Sequence, residues 1–111
     1  MAGAFGCGDS LLAEFSVTPI GTGESVGRYV AECIRMVEES GLEYRMNPMG
    51  TVVEGEFDEV IALIARCHKA VRKSCKRVST VIKIDDREGA EGALTEKVAS
   101  VERILGRRLR T

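Results

Sequence analysis

The sequence predicts an α+β domain with a four-stranded antiparallel sheet, two helices on one face of that sheet, and a further C-terminal helix. Four segments alternate between apolar and polar residues with a period of two, which is typical of half-buried strands. Three other segments repeat their apolar residues with a helical period. The order is strand, helix, strand, strand, helix, strand, helix. The first six elements form the split βαβ pattern of a ferredoxin-like fold.

The four strands are predicted from this alternation and from the turn residues between them. The first covers residues 11–20, where Leu11, Ala13, Phe15 and Val17 share one face, and the stretch Gly21-Thr22-Gly23 ends it. The other three cover residues 43–49, 51–56 and 78–85. Gly50 supplies the turn between the second and third strands, so these two are predicted to form a hairpin.

The helices are predicted from their apolar sides and from residues that start or stop helices. Ser25 is a candidate N-cap for the first helix, and Gly41 ends it. Asp58 is expected to open the second helix, whose apolar side runs from Phe57 to Val71. Thr95 is the candidate N-cap of the last helix. Its apolar side consists of Val98, Val101 and Leu105.

Length and composition place the chain among ordinary globular domains. It has 111 residues, of which 44% are hydrophobic and 30% are charged. The 16 Lys and Arg nearly balance the 17 Asp and Glu, so the net charge of −1 gives no overall attraction to nucleic acid or an anionic membrane. We expect residues 1–10 to be a disordered tail, 11–106 to be one domain, and 107–111 to be an Arg-rich tail.

The cysteines predict buried thiols in a reducing compartment. Cys7, Cys33, Cys67 and Cys75 include no C-x-x-C pair, and His68 is the one histidine, so a zinc site is not expected. The first nine residues lack the basic and apolar regions of a secretory signal, which favours a cytoplasmic location and free thiols. Each of these thiols is expected to be a buried apolar group. The alternative is a contact between Cys33 and Cys67 from two different helices.

No pattern in the sequence predicts an active site. The chain has no P-loop, dinucleotide fingerprint or H-E-x-x-H pattern. The adjacent carboxylates Asp85 and Asp86 could hold a hard cation or form salt bridges with Arg87. The basic segment 66–77 has no interleaved aromatic residues, which weakens an RNA-binding interpretation of that segment and of the tail from Arg107 to Arg110. We therefore expect no catalytic residue, no metal and no cofactor.

One face of the predicted sheet is left uncovered by the two helices. The alternation places mainly polar residues there: Glu14, Ser16, Thr18, Arg45, Asn47, Val52, Glu54, Ser79, Val81 and Lys83. This face could be simply solvated, could contact the sheet of another subunit, or could bind a small molecule. The alternation does not decide among these three.

Two segments resemble a family of small proteins that bind thiamine or its hydroxymethylpyrimidine moiety, the YkoF-like family. The first is SVTPIGTGESVGRYVAECIRMVEESGLEYRMNPMGTVVEGEFDEV, residues 16–60, and the second is RVSTVIKIDDR, residues 77–87. Their motifs are P-I-G-T-G, P-M-G-T-V-x-E-G and S-T-x-I-K-I-D-D-R. The resemblance covers about residues 11–101. It implies a ferredoxin-like fold, homodimers that meet through their open sheet faces and pair into homotetramers, and binding without catalysis.

The resemblance also implies a set of candidate ligand-binding residues within or beside its motifs. These are Thr18, Ile20, Ser25, Tyr29, Asn47, Met49, Gly50, Thr51, Glu54, Ser79 and Lys83. Asn47, or the backbone at Met49 and Gly50, could pair with the edge of the pyrimidine, and Glu54 or Tyr29 could meet the cationic thiazolium.

Most of these residues also have a plain structural interpretation. Ser25 could only cap a helix, Tyr29 could belong to the core, and Asn47 could be a turn residue. Met49 could serve packing, and Glu54 could pair with Lys83. The alternative function is therefore a structural or interaction module that assembles through its sheet face without a small-molecule ligand.

Overall fold

The structure, a computed structural model, describes residues 10–23 and 26–111. Its elements are β1 (Leu11–Pro19), α1 (Gly27–Ser40), β2 (Glu43–Asn47), β3 (Gly50–Gly55), α2 (Phe57–Ser74), β4 (Val78–Asp85) and α3 (Ala93–Leu105). The strand order in the sheet is β2-β3-β1-β4, and every neighbouring pair is antiparallel. The predicted ferredoxin-like α+β fold with a C-terminal helix is confirmed.

The core lies between the sheet and the pair formed by α1 and α2. The predicted alternation of β1 is confirmed, because Leu11, Ala13, Phe15 and Val17 are all buried on the side that these helices cover. Leu63 of α2 is among the largest fully buried side chains. Burying each such side chain contributes about 1.5–3 kcal/mol to folding, so the helix–sheet interface holds the domain together.

The described helices begin at other residues than the sequence predicts. Asp58 does not cap α2, because the carboxylate of Glu56 accepts hydrogen bonds from the N–H groups of Asp58 and Glu59. Phe57 was expected on the buried side of this helix, but its position in the first turn leaves it 48% exposed. The predicted cap of α1, Ser25, lies outside the described residues. The predicted stop at Gly41 is confirmed by its left-handed backbone, with a φ of 77°.

The last helix is fixed to the sheet by its first turn rather than by its apolar side. Thr95 does not cap α3, since Gly92 occupies the N-cap position and the helix begins at Ala93. The Glu54 carboxylate accepts the N–H groups of Ala93 at 2.8 Å and Leu94 at 3.4 Å. A negative charge at this position also favours the positive end of the helix dipole. Glu54 is therefore only 8% exposed although it faces away from α1 and α2.

Beyond this cap, α3 is loosely attached. The predicted apolar residues Val101 and Leu105 are exposed, and none of the helix's residues is buried. Lys97 lies 2.6 Å from Asp85, and this hydrogen bond and charge lower the pKa of the Asp85 carboxyl. Both partners are well exposed, so water screens the pair and its effect on stability is small. No helix in the described part of the chain is long and apolar enough to cross a membrane.

β4 is an edge strand that the helix layer covers incompletely. The predicted shared face of Val78, Thr80, Ile82 and Ile84 is confirmed by the pairing of β4 with β1. Ile82 and Ile84 nevertheless remain substantially exposed. Near the start of the strand, His68 of α2 lies with its Nδ1 2.6 Å from the hydroxyl oxygen of Thr80. The helix layer therefore covers only about the first half of β4.

Removing the carboxylate that caps α3 tests this description of the helix. We expect Glu54→Ala to lower the free energy of unfolding by about 1 kcal/mol, because two N–H groups at a helix start lose their acceptor. Chemical denaturation followed by circular dichroism measures the change. Glu14→Ala is the matched control, since Glu14 is exposed on the same face of the sheet. Equal stability of the two variants would contradict the capping role.

Candidate functional site

A cavity of about 130 Å³ lies between α1 and the sheet, at the end where β1 and β2 finish and β3 begins. Its apolar walls come from both layers: Phe15, Val17, Val26, Val30, Ile34, Met46 and Met49. Its polar or small groups are Ser16, Thr18, Cys33, Asn47, Gly50 and Thr51. Among residues 10–23 and 26–111, no Asp, Glu, Lys, Arg or His lines it. The cavity therefore suits an uncharged ligand group.

The hairpin between β2 and β3 shapes one side of this cavity. Asn47 and Gly50 are the last paired residues, so Pro48 and Met49 form the turn beyond them. A Cβ atom at Gly50 would lie 3.1 Å from the carbonyl oxygen of Phe15, so glycine allows β3 to start this close to β1. Met49 projects from the turn and is 88% exposed. The close approach of the strands thus holds a flexible thioether at the cavity's edge.

Five of the predicted site residues come together in this cavity. Thr18 reaches it from the end of β1, and Asn47, Met49, Gly50 and Thr51 reach it from the hairpin. They lie within or beside two motifs that are separated by the whole of α1 in the sequence. Their convergence on one cavity is the structural feature that makes this end of the sheet the candidate site.

The remaining predicted residues lie elsewhere. Tyr29 is buried in the core, and the Arg28 guanidinium donates to its hydroxyl at 2.7 Å. Ile20 is exposed just beyond β1, and Ser79 and Lys83 are exposed on β4. Glu54 already accepts two backbone N–H groups from α3, so a ligand cation would have to share that carboxylate. Ser25 lies outside the described residues.

The sequence suggested a ligand at the open sheet face, near the loop 19–25 and the hairpin 47–51. The cavity adjoins that hairpin but lies on the helix-covered side of the sheet. The strand pairing does place two of the predicted polar pairs on that open face, since Glu14 lies opposite Lys83 and Thr18 lies opposite Ser79. The α1 residues Val30 and Ile34 were recognised only as part of an apolar helix side. Both are half-buried rather than buried, which shows that the sheet leaves part of that side unfilled.

The thiol in the cavity wall is neutral. The Cys67 thiol donates to the carbonyl oxygen of Cys33 at 3.7 Å, so the two buried thiols also make the contact between helices that the sequence offered only as an alternative. The hydrogen bond with the Cys67 thiol and the burial of the group both raise the pKa of the Cys33 thiol. Cys33 therefore stays protonated at neutral pH and adds no charge to the cavity.

A larger cavity, of about 480 Å³, lies at the opposite end of β4. Its walls carry charges of both signs, including Asp85, Arg87, Glu88 and Lys97. No group of three His, Cys, Asp or Glu side chains in the described ranges is arranged to hold a metal ion. None of the predicted site residues lines this cavity, so size alone does not make it the candidate site.

Comparison with known proteins agrees with the resemblance in the sequence. A family described as thiamine-binding protein matches residues 13–102. The UPF0045 protein MT1949 of Mycobacterium tuberculosis is 50% identical over 97 residues, which cover 86% of this chain and 95% of that protein. The UPF0045 protein YqgV of Bacillus subtilis is 37% identical over 100 residues, which cover 85% of this chain and 96% of that protein.

Solved structures share the fold. The hypothetical protein MJ1052 of the archaeon Methanocaldococcus jannaschii superposes with a TM-score of 0.79 at 33% identity, covering 84% of this chain and 96% of that chain. A DUF77 domain from Bacillus cereus superposes with a TM-score of 0.73 at 31% identity, covering 81% and 88%. With a family match across most of the domain and relatives that align over nearly their whole length, this chain belongs to the thiamine-binding protein family.

Proposed function

We propose that this protein binds thiamine or a hydroxymethylpyrimidine-type precursor without catalysing its conversion, and that the pyrimidine ring occupies the cavity beside the β2–β3 hairpin. The observation that carries this proposal is the convergence of Thr18, Asn47, Met49, Gly50 and Thr51 on one uncharged cavity. The family to which the chain belongs supplies the class of ligand.

The size and polarity of the cavity favour one half of thiamine over the other. Its volume of about 130 Å³ is below the range of roughly 300–1,000 Å³ that is common for small-molecule sites. It therefore suits a single ring rather than the whole two-ring vitamin. The aminopyrimidine is flat and uncharged, whereas the thiazolium is a cation and would find no carboxylate among the described residues of these walls. We infer that the thiazolium of bound thiamine stays outside.

The polar groups of the cavity match the edge of an aminopyrimidine. The Asn47 amide offers both a donor and an acceptor, as an exocyclic amine and its neighbouring ring nitrogen require. The hydroxyl of Thr51, a residue buried on the helix-covered side, offers a further donor and acceptor. The thioethers of Met46 and Met49 can contact the face of the ring and adapt to its position.

We propose binding rather than catalysis because of what the cavity walls are made of. In the part of the chain that the structure describes, none of their side chains is a carboxylate, an imidazole or an amine that could take or give a proton at neutral pH. Cys33, the thiol among them, is held in its protonated form. Such walls can recognise a ring by its shape and hydrogen bonds while leaving its covalent bonds unchanged.

We also propose that the protein acts as a homodimer or homotetramer in the cytoplasm. Val81 on the open sheet face and Ile104 on α3 are 61% and 82% exposed, and a second copy could cover both. Cys33, Cys67 and Cys75 are free and buried, which fits a reducing compartment. The second candidate function, a module that assembles through these surfaces without a ligand, rests on the same exposed residues.

Filling the cavity tests the proposed position of the ring. Isothermal calorimetry should show that the unchanged protein binds thiamine and hydroxymethylpyrimidine. Val30→Phe should weaken binding of both by at least about tenfold, because the new ring takes the space of the ligand. Ala31→Phe is the control, since Ala31 is the exposed neighbour on the same helix.

These measurements also separate the two candidate functions. Absence of heat from either ligand at near-millimolar concentration, together with a stable oligomer by light scattering, would favour the ligand-free module. Equal weakening by Val30→Phe and Ala31→Phe would place the ring elsewhere. Thermal unfolding of both variants checks that the change in affinity is not a change in folding.

The hydrogen-bonding role of Asn47 gives a separate prediction. We expect Asn47→Ala to weaken hydroxymethylpyrimidine binding by about tenfold, because the edge of the ring loses a paired donor and acceptor in a largely apolar cavity. Arg45→Ala is the control, since Arg45 lies two residues earlier on β2 and does not line the cavity. Calorimetry in which Asn47→Ala binds as tightly as the control would remove this role.

A further inference from the structure

The charge of the chain is distributed very unevenly, although its net value is only −1. The segment from Val60 to Ile84 contains no Asp or Glu. Its basic residues are Arg66, Lys69, Arg72, Lys73, Lys76, Arg77 and Lys83. The acidic residues that balance them lie in other parts of the sequence, so this segment creates a local positive potential.

The fold brings four of these cations to the end of the domain that holds the candidate cavity. Arg72, Lys73, Lys76 and Arg77 lie in the last turn of α2 and in its connection to β4, and we call them the basic end. All four are exposed.

Backbone hydrogen bonding ties the basic end to the cavity's surroundings. The carbonyl oxygen of Arg77 accepts the N–H of Ile20 at 2.9 Å. Two residues further on, Ser79 pairs with Thr18, which lines the cavity. The positive charges and the cavity therefore lie beside the same end of β1.

Interactions among the described residues do not account for the basic end. The helix dipole favours Arg72 and Lys73, which lie in the last turn, but its effect fades beyond that turn and leaves Lys76 and Arg77 unexplained. Across residues 10–23 and 26–111, none of the four forms a salt bridge. Arg72 donates to the carbonyl oxygen of Cys75 at 3.3 Å, which satisfies one of its N–H groups and neutralises no charge. Four cations that repel one another are suited to an external anion.

We propose that the basic end binds the phosphate group of a phosphorylated ligand, so that the protein prefers the phosphate monoester of a hydroxymethylpyrimidine-type compound to the free alcohol. This inference rests on the proposed function, because the ring is what occupies the cavity. Arginine and lysine are the side chains that most often hold phosphate, the former through its fork of N–H groups. The ring and the phosphate are thus recognised by separate parts of one end of the domain.

Paired calorimetric titrations test this preference. Hydroxymethylpyrimidine and its phosphate monoester are compared at pH 8, where the phosphate is a dianion. The monoester should bind about tenfold more tightly at low ionic strength, and the ratio should shrink in about 0.5 M salt because salt screens exposed charges. The affinity of the free alcohol should barely depend on salt.

The double substitution K76Q/R77Q tests whether the basic end causes the preference for the monoester. Both side chains are exposed, and the backbone bond from Ile20 to Arg77 is retained. The variant should bind the alcohol as before and should lose most of its preference for the monoester. The control is R107Q/R108Q, which removes two exposed charges from the C-terminal segment and should leave that preference intact.

Other results would contradict either the phosphate inference or the proposed function. Equal binding of alcohol and monoester would overturn the phosphate inference alone, and absence of binding by either would overturn the proposed function as well. A preference that persists in K76Q/R77Q would place the phosphate elsewhere. Salt-dependent binding of single-stranded RNA that K76Q/R77Q abolishes, without a preference for the monoester, would assign the basic end to a polynucleotide instead.

Discussion

The pairing of β1 with a strand on each side is the constraint on which the rest of the molecule depends. β1 is hydrogen-bonded to β3 along one edge and to β4 along the other, both antiparallel. Its alternating side chains therefore contribute to the core on one face and to the open surface on the other. A one-residue slip would move Phe15 to the open face and Glu14 into the core, so burial fixes this register.

The same pairing decides which segments meet at the candidate site. Because both neighbours run opposite to β1, the end of β1 lies beside the start of β3 and the start of β4. The connection before β3 is the hairpin that lines the cavity, and the connection before β4 carries Lys76 and Arg77. A neutral cavity and a group of cations thus become neighbours through topology, although they are separated by all of α2 in the sequence.

The sequence predicted the features that depend on local periodicity. The order of the elements, the two faces of β1 and the extent of β4 all follow from alternation over a few residues. Caps were predicted less well, because the acceptor at the start of α2 is Glu56 and the competing candidate Asp58 lies only two residues away.

Glu54 shows what periodicity cannot supply. The alternation places it correctly on the face opposite α1 and α2. Its hydrogen-bond partners, Ala93 and Leu94, are about 40 residues further along the chain and come from another element. The cavity also depends on contacts between segments that are distant in the sequence. In the sequence alone, Val30 and Ile34 only continue the apolar side of α1. Only the packing of α1 against a particular hairpin leaves space beside them, and no property of either segment predicts that gap.

The arrangement of charge also bears on which form of the vitamin the domain can hold. A unit cation about 8 Å from another in water is repelled by about 0.5 kcal/mol, and several cations together at the basic end would multiply that cost. In the proposed binding mode, an unmodified thiazolium at the cavity mouth would experience this repulsion, and no carboxylate among the described lining residues would offset it. A phosphate on the ligand would reverse the sign of the interaction. Burial of the ring would then supply affinity that salt hardly affects, while the phosphate would supply selectivity that salt removes.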